Sequence, residues 1–360
     1  MTKVSEHSVV SARHKRAMHN RLMKWFDSRE RDLPWLKKRN PYRIWVSEIM
    51  LQQTQIATVI DYYARFIKAF PTVRKLAAAS EDEVLRLWEG LGYYRRARQL
   101  HKAAKQVVTD HNGKFPQQFE DVLALPGIGR YTASAILSIS LDQKLPILEA
   151  NTIRLFARLM AMKIDTTTSA AQKDLWSYSE GLLPNERVGD FNQALMDFGR
   201  HICKPTPVCL DCPIKKFCQA YNDGMQNEIP VNKKKMKYVD LNEAIVLIKR
   251  RQNVLLRKCQ PGERWAGLWD FPRFDLQLNS PTKSLVSDIE STTGLATEVE
   301  PLNETIKHAV TRFRIKLECF RATEVKGRLF SDSGYQWKSR HELVELPLSK
   351  TGRKFADQFA

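Results

Sequence analysis

The chain has no run of about twenty consecutive apolar residues, the length that a membrane-spanning helix needs. Its first residues, MTKVSEHSVVSARHKR, lack the apolar core and small-residue cleavage site of a secretory signal. No contact with a membrane and a cytoplasmic location are therefore expected. No internal repeat shows in the 360 residues, which are enough for two domains, each with its own core. Acidic residues are in short supply: 40 Asp and Glu face 58 Lys and Arg, leaving a formal charge of +18. Cysteine is scarce too, at six residues, yet four of them fall within sixteen positions.

A chain this basic attracts polyanions, because each phosphate it neutralises releases condensed counterions. Excess lysine also serves solubility, so charge alone does not choose between the two uses. In a reducing compartment, clustered cysteines point to metal binding or catalysis rather than to disulfides.

Up to about residue 220 the pattern is helical. Apolar residues recur at three- and four-residue spacing over Arg13 to Phe26, Ile44 to Phe70, Glu83 to Trp88 and Ala97 to Val108. Ser80 and Glu83 form a capping box, and Pro41 and Pro71 stand where helices begin or have ended. The pattern fails from about Tyr221 to Asp240, a polar stretch carrying Lys233, Lys234, Lys235 and Lys237 that reads as a linker. Beyond it, AIVLIKR, NVLLRK and RFRIKLECF are strand signals. The expected layout is an all-helical domain over 1–222, a basic linker over 223–240, and a smaller α+β domain over 241–360.

Cys203, Cys209, Cys212 and Cys218 are too close in sequence to remain four free thiolates without a cation. Tetrahedral zinc and an iron–sulfur cluster both suit four thiolates, and spacing alone leaves both open. Cys259 and Cys319 stand apart and read as core residues. LALPGIGRYTASAIL, Leu123 to Leu137, reads as helix, tight turn and helix. Gly127 and Gly129 allow close backbone approach and positive φ, and Ile128 between them can plug the helix crossing. The N–H groups opening the second helix then offer a phosphate site, although Gly-rich helix connections are common in structures without that use. Glu48 lies on a predicted helix with apolar neighbours one turn to either side. Burial there would raise its pKa toward neutrality, as a general acid requires, whereas a glutamate whose end reaches solvent or pairs with an arginine is an ordinary helix residue, and spacing alone favours the latter.

LPGIG leading into a helix at about 117–139, the cysteine cluster closing a helical domain, and PYRIWVSEIMLQQTQ from Pro41 to Gln55 together carry a resemblance. The chain resembles the endonuclease III and MutY glycosylases of base excision repair, and MutY most closely. The resemblance covers residues 30–220 densely and the remainder more thinly. It implies a multidomain fold: an all-α helix–hairpin–helix glycosylase domain with a [4Fe–4S] loop, then an α+β Nudix-like domain. It implies a monomer acting on double-stranded DNA with adenine opposite 8-oxoguanine or guanine, in the nucleoid if the source is bacterial. Glu48 would protonate adenine at N7. Glu149 would stabilise the oxocarbenium-like sugar, with Asn151 and Tyr131 orienting the sugar and its carboxylate partner. Arg31, Trp35 and Gln193 would line the adenine pocket. Tyr93 would wedge into the duplex and Gln53 would enter the vacated position, consistent with base flipping. Cys203, Cys209, Cys212 and Cys218 would hold the cluster, in a structural and DNA-positioning role.

The sequence departs from the pattern in several places. CKPTPVC has five residues in its first gap where the family has six. Glu149-Ala150-Asn151 stands where the family has Asp-Gly-Asn, adding one methylene to the carboxylate arm. Tyr131 occupies the position at which bifunctional relatives carry a lysine nucleophile, so backbone cleavage is not expected. RWAGLWDFPRF marks the Nudix-like domain, but SDIESTTGL lacks most of the glutamates of a Nudix hydrolase, so binding is expected there rather than hydrolysis. Val310, Thr311 and Arg312 replace Phe-Ser-His in the reading loop, with the Thr311 hydroxyl and Arg312 as DNA contacts. Two rivals remain: an endonuclease III-like enzyme for oxidised pyrimidines, and an inactive cluster-bearing DNA-binding protein.

Overall fold

The computed structural model describes residues 12–30, 32–231, 237–276 and 281–360. The chain divides by packing into two units that do not follow chain order. One comprises Met1–Ala64 and Gln106–Lys234, the other Arg65–Lys105 and Lys235–Ala360.

The helical part begins with α1 (Ala12–Asp27), α2 (Pro41–Leu51), α3 (Ile56–Ala69), α4 (Val73–Ala78), α5 (Glu81–Trp88) and α6 (Arg95–Asp110). It continues with α7 (Phe119–Leu123), α8 (Arg130–Leu141), α9 (Ala150–Leu159), α10 (Ser169–Leu182), α11 (Val188–His201) and α12 (Gln219–Asn222). The boundaries between the units cut within α3 and α6. In the first unit, Leu22 and Phe26 of α1 share a core with Phe156 of α9 and Phe191 and Phe198 of α11. Glycines set how closely α11 approaches its neighbours. A Cβ on Gly189 would lie 2.4 Å from the Ser138 carbonyl oxygen, and one on Gly199 would lie 2.8 Å from Asn151.

The continuous helix suggested by the periodicity of Ile44 to Phe70 is two helices. Asn40 caps α2, its Oδ1 accepting from the Tyr42 and Arg43 amides, and Pro41 opens the first turn. Gln52 ends α2 in an extended conformation, and Gln53 turns the chain left-handed at φ +57°. Apolar residues continue across this break although α2 is buried almost all round and α3 buries one face, through Val59, Tyr63, Phe66 and Ile67.

In the second unit, the Ser80–Glu83 capping box opens α5 as expected, with Ser80 N donating to Glu83 at 2.7 Å. The sheet strands are β1 (Val239–Arg250), β2 (Asn253–Lys258), β3 (Trp269–Asp270), β4 (Arg273–Asp275), β5 (Leu295–Val310), β6 (Phe313–Gly327) and β7 (Tyr335–Ser339). Their order is β3-β2-β1-β6-β5, with β4 pairing β1 and β7 pairing β2. Only β1 and β6 run parallel among the described pairs. Strand side chains alternate between faces. Ala244, Val246 and Ile248 of β1 therefore pack with Leu285 and Ile289 of α13 (Pro281–Thr293). Ile245 and Leu247 meet Phe355 and Ala356 of the last helix, which follows α14 (Arg340–Glu345) and is α15 (Lys350–Phe359). Burial on both faces explains the unbroken apolar run in β1. No helix among the described residues is long and apolar enough to cross a membrane.

Candidate active site

Glu48 projects from α2 and is only 7% exposed. Burial pushes its pKa up to about 7; the hydrogen bond from Tyr131 opposes that rise, and the charge of Glu149 adds to it. Tyr131, in the first turn of α8, places its hydroxyl 2.8 Å from Glu48 Oε2 and 3.2 Å from Met196 Sδ on α11. A phenol beside a carboxylate donates its proton, and burial holds the Tyr131 pKa well above its usual value.

Glu149 is the N-cap of α9. Its Oε1 accepts from Thr152 N at 3.0 Å, and its Oε2 from Asn151 N at 2.9 Å and Asn151 Nδ2 at 3.1 Å. Thr152 completes a reciprocal box by accepting from Glu149 N at 2.8 Å. The extra methylene is thus taken up by folding the side chain back onto its own helix start, where the dipole favours a negative charge. Burial still raises the Glu149 pKa, against the pull of the Asn151 and Thr152 amides. Asn151 is fixed in turn by Arg154, whose Nη2 donates to Asn151 Oδ1 at 2.8 Å and to the Gly199 carbonyl at 2.7 Å. The result is a buried carboxyl, Glu48, bonded to a phenol, and a half-buried one, Glu149, held by amides.

The hairpin of α7 and α8 flanks this site. Gly127 takes φ +79° as expected, and Ile128 is buried. Gly129 does not need positive φ: it is extended, at φ −102°, and a Cβ there would meet nothing within 4 Å. Its freedom serves open space in front of the α8 amides, which no side chain caps.

Cys203, Cys209, Cys212 and Cys218 line one cleft together with Leu155 and Phe198. Burial, with the neighbouring thiols adding, pushes Cys212 up to about 12 and Cys218 to about 11. Thiolates so disfavoured when free suit a site that a metal group neutralises. Arg158, buried in α9, fastens the loop by donating to the carbonyls of Lys204 and Pro205, each at 2.7 Å, and of Ile229 at 2.8 Å.

Residues 46–180 match the HhH-GPD superfamily of base excision DNA repair proteins, and residues 243–358 match the NUDIX domain. The adenine DNA glycosylase of Buchnera aphidicola from Schizaphis graminum is 38% identical over 261 residues, covering 72% of this chain and 75% of the relative. The chain belongs to the adenine DNA glycosylase family. The rat adenine DNA glycosylase is 40% identical over 270 residues, 71% of this chain but 51% of the rat protein. The chain thus spans about half the length of its rodent relatives. Among solved structures, a thermostable thymine-DNA glycosylase is 28% identical with a TM-score of 0.53, covering 58% of this chain and 97% of that one.

The other positions at which the chain resembles adenine glycosylases fall as follows. Gln193 is one turn before Met196 on α11, buried, and its Nε2 has no hydrogen-bond partner among the described residues. A buried amide without a partner costs about 1–3 kcal/mol, which a bound base can relieve. Trp35 is buried edge-on to Tyr63, their rings 5.4 Å apart. Arg31 lies outside the described residues.

Gln53 and Tyr93 share one feature: each is an exposed non-glycine residue at positive φ, +57° and +48°. Backbone strain of this kind concentrates at working sites. Tyr94, by contrast, is a core residue whose hydroxyl accepts from Gly90 N at 3.1 Å.

Thr311 and Arg312 form the two-residue turn between β5 and β6. Thr311 takes φ +51° and donates its hydroxyl to the Val310 carbonyl at 2.7 Å, so the hydroxyl is engaged locally. The Arg312 guanidinium lies over Phe313 at 5.2 Å. Both residues are exposed at a hairpin tip rather than along an edge strand. Asp288 and Glu290 are the acidic residues of α13, too few for the metal set of a Nudix hydrolase.

Sequence reading missed Met196, Arg154 and Arg158. Their partners lie 65, 45 and 71 positions away for the Tyr131, Gly199 and Ile229 contacts, and no local pattern signals such pairs.

Proposed function

We propose that this chain is a monofunctional glycosylase that hydrolyses the bond between deoxyribose and adenine mispaired with 8-oxoguanine or guanine. The observation that carries the reading is Glu48: buried, shifted to about pH 7, and aligned by Tyr131. Protonated Glu48 gives its proton to adenine N7. The C1′–N9 bond breaks with its electron pair passing to adenine, and Glu149 offsets the positive charge left on the sugar. Water supplies the oxygen that bonds C1′ and gives up a proton to a carboxylate. Tyr131 spends its hydroxyl on Glu48 and offers no amine for a Schiff base, which favours this reading over a pyrimidine glycosylase with lyase activity.

Gln193 and Trp35 line the adenine pocket. Tyr93 and Gln53 open the duplex, and the open α8 amides at Gly129 hold a phosphate. The Nudix-like domain reads the partner base through the hairpin tip at Thr311 and Arg312.

Cys203, Cys209, Cys212 and Cys218 hold a [4Fe–4S] cluster. No three of these or other acidic or imidazole groups among the described residues gather as a site for a single ion, whereas all four cysteines line one cleft. A polynuclear group fits that spread better than one zinc ion, and when bound it supplies the charge that neutralises four thiolates. Base removal itself is assigned to the carboxylates.

Borohydride treatment of the enzyme on mispaired DNA tests the monofunctional reading. No covalent adduct is expected, and a trapped chain would show that an amine attacks the sugar.

A further inference from the structure

The turn that carries Tyr93 is fastened to the sheet and C-terminal helices of the Nudix-like domain through both of the helices that flank it. Asp82 and Arg86 lie four residues apart on one face of α5, and Glu89 caps its C-terminus. Asp82 takes Lys258 Nζ at 2.6 Å and Trp269 Nε1 at 3.2 Å. Arg86 Nε donates to the Val344 carbonyl at 3.1 Å. Glu89, its side chain 8% exposed, takes Arg353 Nε at 2.7 Å and Nη2 at 3.2 Å, and also the Leu348 amide at 3.1 Å. Arg353 is itself fixed by the carbonyls of Leu343 at 3.0 Å and Leu346 at 2.7 Å. On the far side of the turn, Arg98 of α6 donates to the Ala266 carbonyl, and Gly267 is confined by the side chains of Arg98 and Glu81. Between these anchors lie Gly90 at φ +91°, Gly92 at φ +77° and Tyr93 at φ +48°.

A bidentate, nearly buried ion pair is directional, so it transmits a displacement instead of absorbing it. Most of the ties run from α5 and its C-cap residue Glu89, which delivers the chain directly into Gly90. We propose that Glu89 is a positioning residue: it couples the wedge Tyr93 to the domain that reads the partner base, so that engagement of 8-oxoguanine presses the wedge home. The inference rests on the proposed role of that domain. It assigns the preference for 8-oxoguanine partly to this junction and not to base contacts alone. Glu89 touches no substrate, and its effect reaches the DNA only through Tyr93.

The test uses the full chain carrying its cluster, as wild type, Glu89→Gln, Asp82→Asn, Tyr93→Ala and the double variant Glu89→Gln/Tyr93→Ala. Single-turnover rates are measured on A·8-oxoG and A·G duplexes, and amide hydrogen exchange is followed over Gly90–Tyr94. Glu89→Gln is expected to lower the preference for 8-oxoguanine by about 5-fold or more. It should speed exchange in the turn and add no further loss once Tyr93 is Ala. Asp82→Asn, at a half-exposed anchor, should act in the same direction and covers the case in which Glu89→Gln does not fold. Equal loss on both mispairs, an additive double variant, or unchanged exchange in the turn would overturn the proposal. A wild type that releases no adenine would instead sink the proposed function, and the exchange data would still decide the anchoring.

Discussion

Glu48 is a carboxyl group placed where a carboxylate is disfavoured. Its folded-state pKa of about 7 stands above the ordinary 4.5. A raised acid pKa means that stability is fully present below about pH 4.5 and is lost as pH climbs through 7, by about 3 kcal/mol at most. The same shift keeps a proton available for adenine at neutral pH. Two outcomes follow for Glu48→Gln, which keeps the acceptor for Tyr131. Base release should fall by about 10²–10⁴-fold, the usual worth of proton donation. Melting temperature should rise relative to wild type above pH 7, and the gain should vanish below pH 5. A gain over wild type no larger at pH 8 than at pH 5 would show that Glu48 is not strained by burial. For wild type, the single-turnover rate should decline as pH rises past about 7. Glu149 accepts from the Asn151 and Thr152 amides, and the proposed reaction needs its carboxylate beside the sugar, so Glu149→Gln should slow base release at least about 100-fold. Full activity in that variant would remove Glu149 from the chemistry.

At the scale of elements, the site depends on where three helices begin and how closely they approach. α9 starts at Glu149, α8 starts beside Tyr131, and α11 brings Met196 and Gln193 against them. Gly199 is what lets α11 touch Asn151. Gly199→Ala should therefore destabilise the chain by about 1–3 kcal/mol, as overpacking does. It should also displace Asn151 from Glu149, so activity should drop more than stability predicts. Thermal melts compared with single-turnover rates will separate the two effects.

This scale also shows what could be read without coordinates. Glu48, Tyr131 and the cysteine run were legible because helical spacing and short motifs are local signals. The N-capping role of Glu149 was not, because a glutamate in Glu-Ala-Asn is ordinarily too long for that position. The break at Gln53 was hidden by apolar spacing that continues across it. Gly129 was expected at positive φ, whereas its value lies in the space it leaves before α8. Met196, Arg154 and Arg158 depended on contacts distant in sequence, which patterning does not encode.

For the whole molecule, the alternation of helices and then strands along the chain announced two folds, and the family matches at 46–180 and 243–358 agree with that order. Packing adds something that chain order does not contain: Arg65–Lys105 belongs with the C-terminal sheet. Asp82, Glu89 and Arg98 make that attachment, and their partners lie more than 160 positions away. The net charge of +18 is spread through a molecule whose site needs DNA held against both carboxylates. The central claim is that this arrangement releases adenine and leaves the backbone intact. Its most direct test is single-turnover cleavage of labelled duplexes carrying A·8-oxoG, A·G, A·C and a thymine-glycol pair, each read with and without alkali. Strand scission at adenine only after alkali, fastest opposite 8-oxoguanine, is the predicted result. Scission without alkali, or release at thymine glycol with adenine untouched, would contradict it.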